Sequence, residues 1–246
     1  SNGNSITRFN FGASFENTPT GINLGNIGNL NFPTGIFAMN DNGNWHVFIC
    51  NQGSSTISRL DFGTSLLSTP VGVNLGNPNG VLQQPRDIYM IKFCGQITGF
   101  VVNQLSNDLL QLSLSSIISS PTASSLGNIA NFSFPHSISK IYRVGADLYS
   151  FVTNVTNNTI SRLKFSGCVN ASIPNSTLQT PPAVSYNSAG VYNINLTIDE
   201  GLSTQSTLCK PIVVIAPPIH TPTANYSICE NDSILLTAPV LNANYL

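Results

Sequence analysis

A short phrase recurs along this chain at a spacing of about 51 residues. It reads ITRFNF from Ile6 to Phe11, ISRLDF from Ile57 to Phe62, LLQLSL from Leu109 to Leu114 and ISRLKF from Ile160 to Phe165, with steps of 51, 52 and 51. Two other landmarks keep the same step: Leu-Gly-Asn begins at Leu24, Leu75 and Leu126, and a proline follows at Pro33, Pro85 and Pro135. Self-similarity at a fixed period of this size marks an array whose units bury their faces against one another. Within a unit the apolar residues alternate, as in Trp45 to Cys50, between clusters of Asn, Gly, Ser and Pro. That rhythm predicts short strands joined by turns rather than helices. In the first complete unit the strands are expected at 34–39, 45–51, 56–62 and 70–76, and in the second at 86–92, 97–103, 108–114 and 122–126. The third unit offers 136–142, 147–153 and 158–165.

Four strands in about 51 residues predict one blade of a β-propeller, so the expected fold class is all-β, with a partial propeller over residues 1–167. Closure needs roughly 4 to 8 blades. The chain supplies three, with half of another at 5–26, so N-terminal blades are expected upstream. After Phe165 the Leu-Gly-Asn landmark does not return, which puts a boundary near residue 167. The final Asn244-Tyr-Leu246 interrupts a strand-like run, and a fragment of a longer protein is the expectation. Arg8, Arg59 and Arg162 recur in register, with Gln111 at the fourth place; a residue repeated in every unit points to packing, its aliphatic stem covering a strand.

Only 8% of the 246 residues are charged, against about 25% in ordinary domains, and the net charge is −1. No basic patch exists for nucleic acid, and no apolar run approaches the ~20 residues that span a bilayer. Low charge with abundant Asn, Ser and Thr suits exported β structure, so a secreted or cell-surface location is expected. Five cysteines are present. Their spacing excludes a Cys-x-x-Cys zinc or redox motif, and in an exported chain disulfides are expected. Cys168 and Cys209 bracket a second module and would staple its ends. Cys50 and Cys94 either tie neighbouring blades or are buried free thiols, and Cys229 is left odd, with a partner expected beyond Leu246.

From Cys168 the period vanishes and new strands are expected at 183–186, 188–198 and 209–215, a small sandwich over 168–217. The stretch from Tyr186 to Ile198 resembles the PKD (polycystic kidney disease) family, with an aromatic strand, a Gly-x-Tyr turn, an alternating strand and a closing Ile-Val-Val strand. Gly190, Tyr192, Leu196 and Val213 match that pattern. The opening strand and the family's aspartate, here only Asp199-Glu200, depart from it. Residues 218–246, with Ile228-Cys-Glu-Asn-Asp-Ser, look like the start of an immunoglobulin-like module. Together these features resemble large exported multidomain surface proteins of the Bacteroidetes. The resemblance implies type IX secretion through a C-terminal domain outside this chain, engagement of export machinery, and a role in adhesion or gliding motility.

No chemical motif stands out. His46, His136 and His220 lie at no metal-binding spacing, so no metal, cofactor or catalytic residue is assigned. Asn40-Asp-Asn-Gly-Asn44 lacks the distal carboxylate of a calcium loop and reads as a hairpin turn. Position gives one candidate: the residues after the landmark prolines border the funnel of a propeller, and Arg86, Asp87 and His136 break an otherwise uncharged sequence there. They are ligand contacts for a surface glycan or protein, or else structural, with Arg86 and Asp87 satisfying each other or a strand end and His136 bonded to backbone. The expected function is non-enzymatic surface binding. The alternative is an exported propeller lyase or hydrolase acting on polysaccharide in the funnel.

Overall fold

Alternating apolar residues fold as they read, into antiparallel strands with one face turned each way. The structure, a computed structural model, describes residues 3–93, 95–144, 147–165, 171–173, 175–199, 206–216, 229–231 and 233. The chain is all-β. A two-stranded sheet pairs β1 (Ile6–Asn10) with β2 (Thr20–Gly25). The first complete sheet has the order β3 (Pro33–Asp41), β4 (Asn44–Asn51), β5 (Thr56–Gly63), β6 (Val71–Gly76). The second repeats that meander with β7 (Pro85–Phe93), β8 (Gln96–Asn103), β9 (Asp108–Leu114) and β10 (Thr122–Ser125). Asn42 and Gly43, both at positive φ, turn β3 into β4, with Asn40 Oδ1 accepting from Gly43 N.

The third sheet departs from expectation. Its first strand, read as continuous over 136–142, is split into β11 (Pro135–Ile138) and β12 (Tyr142–Val144), both paired with β13 (Asp147–Asn154), and β14 (Thr159–Phe165) lies beyond. The break has a local cause. Ser139 Oγ accepts the Phe151 amide at 3.0 Å and Ser150 Oγ donates to Ser139 O at 2.9 Å, so hydroxyls take ladder bonds and the strand leaves its register.

The Leu-Gly-Asn landmark is a joint between sheets. Gly25, Gly76 and Gly127 all adopt positive φ, where glycine is unstrained, and each amide is capped two residues back by Asn23, Asn74 or Ser125. The next residue clamps a loop with both ends of its amide: Asn26 to Leu30, Asn77 to Leu82 and Asn128 to Phe132, each accepting from the N–H and donating to the C=O. Those clamped residues are buried. A second asparagine series, Asn51, Asn103 and Asn154, is buried at the end of the second strand and accepts from Asn31, Gln83 and Ser133.

Three cores lie between successive sheets. Leu60, Phe62, Val47 and Ile49 pack with Ile6 and Leu24; Phe48, Cys50 and Ile57 pack with Ile88, Val101 and Leu110; Phe100, Val102 and Leu109 pack with Ile138, Val152 and Leu163. Side chains also reach forward across each joint. Arg8 Nη1 donates to Leu66 O at 2.7 Å and Arg59 Nη1 to Ile117 O at 2.9 Å, so the recurring arginine latches its sheet to the next as well as covering a strand. Asn4, Ser55 and Asn107 cap the positive-φ residues Phe32, Gln84 and Phe134 that begin the following sheet.

Arg59 also holds Asp61 through two hydrogen bonds, and His46 Nδ1 donates to the same carboxylate at 2.7 Å. Burial pushes the Asp61 carboxyl up, but the bonds and charges of Arg59 and His46 outweigh it and hold the pKa below the ordinary value. A depressed folded-state pKa contributes stability that is complete above the unfolded value of about 3.9 and is lost as pH falls through the lower folded value. Wild type is therefore expected to lose Tm more steeply than Asp61→Asn below about pH 4. Thermal melts of both proteins across the acid range check this, and parallel profiles would refute it.

Of the two readings open for Cys50, the structure has the buried free thiol. It is fully buried in the core between the first two complete sheets, and burial followed by the nearby Asp87 charge pushes its pKa well up. It lies beside Asn51, at the Pro33 end of its sheet, whereas Phe93 and Gln96 close the far end of the second sheet. Cys94 itself lies outside the described residues.

In the second region β15 (Gly190–Ile198) and β16 (Ser206–Val214) form a hairpin paired from Gly190↔Val214 to Ile198↔Ser206. The strand expected at 183–186 is reduced to one bridge, Ala171↔Tyr186, and the Tyr186 and Tyr192 rings lie 4.2 Å apart. Cys209 is disulfide-bonded, while Cys168 lies outside the described residues. Cys229 is a free, exposed thiol, and the rest of 218–246 lies outside the described residues except 230, 231 and 233.

Candidate functional site

Each landmark proline opens a strand with a bulge. The register skips between Pro33 and Ile36, between Pro85 and Asp87, and between Pro135 and Ser137. Proline has no N–H for the ladder, so an irregularity at the strand start suits it, and a bulge re-aims the side chain it lifts out. The lifted residues are Thr34 with Gly35, Arg86, and His136. These strand starts approach one another closely: a Cβ on Gly35 would lie 2.4 Å from Asp87 Cα and 2.7 Å from Arg86 O, so only glycine fits.

The structure brings Arg86 and His136 together and turns Asp87 away from them. Arg86 Nη2 meets His136 Nε2, and Arg86 Nη1 donates to Gln52 Oε1 at 2.6 Å. Gln52 Nε2 in turn donates to the buried Gln104 Oε1 at 2.8 Å. Arg86 Nε is buried without a partner among the described residues, and burial lowers the guanidinium's pKa. His136 is exposed at the rim. Asp87 accepts from Ile88 N at 2.9 Å, Ser137 Oγ at 2.7 Å and Ile138 N at 2.9 Å, stitching β7 to β11. Arg86 and Asp87 thus take separate partners: of the two structural alternatives, Asp87 satisfies a strand end, that of β11, and does not pair with Arg86.

Gln52 and Gln104 were not legible as site residues, although each directly follows the buried asparagine of its repeat. Chemically the cluster is a guanidinium flanked by the Gln52 amide and an imidazole, with the Gln104 amide behind Gln52, groups suited to a carboxylate or to sugar hydroxyls. Among the described residues no group of three or more His, Cys, Asp or Glu side chains is arranged to hold a metal ion, and no helix is long and apolar enough to cross a membrane. No protein-family model and no curated protein matches the chain.

Proposed function

We propose that this chain is part of a non-enzymatic binding protein of the cell surface or secreted space, in which a partial β-propeller presents a ligand site and PKD-like and immunoglobulin-like modules act as spacers. The observation that carries the reading is the convergence of Arg86, His136, Gln52 and Gln104 where three equivalent strand starts meet. Elsewhere Arg8 and Arg59 latch one sheet to the next, and His46 and Arg59 hold Asp61 within a single sheet. The ligand is a surface glycan bearing carboxylates, held by Arg86 with His136 at the rim. Export by type IX secretion from a Bacteroidetes-type bacterium, a role in adhesion or gliding, and a Cys168–Cys209 staple of the spacer module belong to the same proposal.

Calorimetric titration with uronic-acid-containing and neutral oligosaccharides tests it. Arg86→Ala is expected to weaken binding of the acidic glycan at least about tenfold, the loss of one charge-assisted contact of roughly 1.5–3 kcal/mol, while Tm holds. Equal affinity in wild type and variant, or no binding of any acidic glycan, would reject the site.

A further inference from the structure

One cross-strand pair breaks the equivalence of the three complete sheets. Counting back from the buried Asn51, Asn103 and Asn154, the same place is held by His46 opposite Asp61, Thr98 opposite Ser113 and Tyr149 opposite Lys164. Only the first of these sheets sets an imidazole against a carboxylate. A residue type repeated in every unit serves packing, so a departure confined to one unit points to a task that unit performs alone.

Beside that pair, at the end of β3 remote from Pro33, lies a hollow of about 460 Å³. The β3–β4 turn, the end of β5 and the 116–118 loop of the second sheet border it, so neither end of the array takes part. His46 lines the hollow although it is only 6% exposed. Its Nδ1 is held by Asp61, which keeps the proton on that nitrogen, and Nε2 has no hydrogen-bond partner among the described residues. In the neutral ring Nε2 is therefore an open acceptor. Asp41, with a side chain 11% exposed, accepts from Lys92 through Oδ1 and leaves Oδ2 without a partner among the described residues. It lines the same hollow, as does the exposed Ile118.

We propose that this hollow binds a primary alkylammonium group, which donates to His46 Nε2 and Asp41 Oδ2 while its methylene stem lies along Ile118. The count of donors selects the ligand. An ammonium carries three donors and no acceptor, whereas a carboxylate would set lone pairs against lone pairs. Asn42 and Asn44, exposed at the rim, offer amide oxygens to the third N–H. No lysine or arginine lines the hollow to repel the charge, and its size is that of a small-ligand pocket. A lysine side chain of a polypeptide and a free diamine share this chemistry. The site lies at the opposite end of the sheets from Arg86 and does not depend on it.

Nuclear magnetic resonance titration of the whole chain with Nα-acetyl-lysine amide tests the proposal, read at the His46 ring signals. Wild type is expected to show a saturable shift. Nα,Nε-diacetyl-lysine amide, which has lost the charge and two of the three donors, should bind at least about tenfold more weakly. Asp41→Asn keeps the shape of the turn and should weaken the lysine amide at least about fivefold with Tm unchanged. His46→Thr with Asp61→Ser installs the pair of the second sheet and should abolish binding; the ligand comparison on wild type tests the site even where that double variant fails to fold. Putrescine binding as tightly as the lysine amide supports the site as one for free diamines, and weaker binding supports it as one for lysine side chains. No saturable shift into the tens of millimolar, equal binding of the acetylated ligand, unchanged affinity in Asp41→Asn, or tighter binding of glucose would each overturn the proposal.

Discussion

Phe48→Ala should lower the free energy of unfolding by about 3–5 kcal/mol, the range for emptying a phenylalanine site in a packed core. Phe151→Ala, the same substitution at the equivalent place, should change it by less than about 0.5 kcal/mol in dilute solution, as surface positions do. The residue type and strand register are shared, and the environment differs. Phe48 lies with Ile57, Ile88 and Val101 in the core between the first two complete sheets, whereas Phe151 borders an open hollow. Urea denaturation of both variants measures the contrast. Equal losses at the two positions would mean that the third sheet is covered in the isolated chain.

The second large effect is expected at Asn103. Its amide donates to Val81 O and Asp108 Oδ1, both at 3.0 Å, and its carbonyl accepts from Gln83 N at 3.1 Å. Asn103 is fully buried and Asp108 nearly so. Asn103→Ala removes three bonds at once, two between neutral groups at about 0.5–1.5 kcal/mol each and one to a carboxylate at about 1.5–3 kcal/mol, while Asp108 keeps Ser106 and Ser125. A total loss of roughly 3 kcal/mol or more is expected. Asn103→Asp should be no better, because it sets a second carboxylate against Asp108 and removes the donor to Val81 O. Chemical denaturation checks both, and a loss below about 1 kcal/mol for the alanine variant would show that water replaces the side chain.

Much of the fold was legible because the repeat states it more than once. A strand such as Ile57 to Phe62 is ambiguous alone, but its equivalents at Ile6, Leu109 and Ile160 fix its period and limits. The break at Ser139 was not legible: the rhythm of 136–142 continues, and the competition of two serine hydroxyls with the ladder depends on Ser139 and Ser150 facing each other across strands. At the candidate site the landmark prolines located Arg86, Asp87 and His136, yet not the bulge that separates Arg86 from Asp87. Adjacent charges in sequence read as a pair, and only the skipped register sends one to Gln52 and the other to Ser137. Cys50 shows the same limit, since spacing alone does not decide between a half-cystine and a thiol buried in the core.

The forward reach of side chains gives the stack a direction in time as well as in space. Asn4, Ser55 and Asn107 cap the residue that begins the next sheet, Arg8 and Arg59 bind loops further along, and Asp87 gathers Ser137 and Ile138. In every case the preceding sheet holds the template and the following one supplies the backbone to be ordered. A chain emerging N-terminus first from a ribosome therefore meets each docking partner already assembled. Growth in that order needs no sheet to wait for a later one, and the nearest-neighbour character of the array becomes a ratchet against retreat.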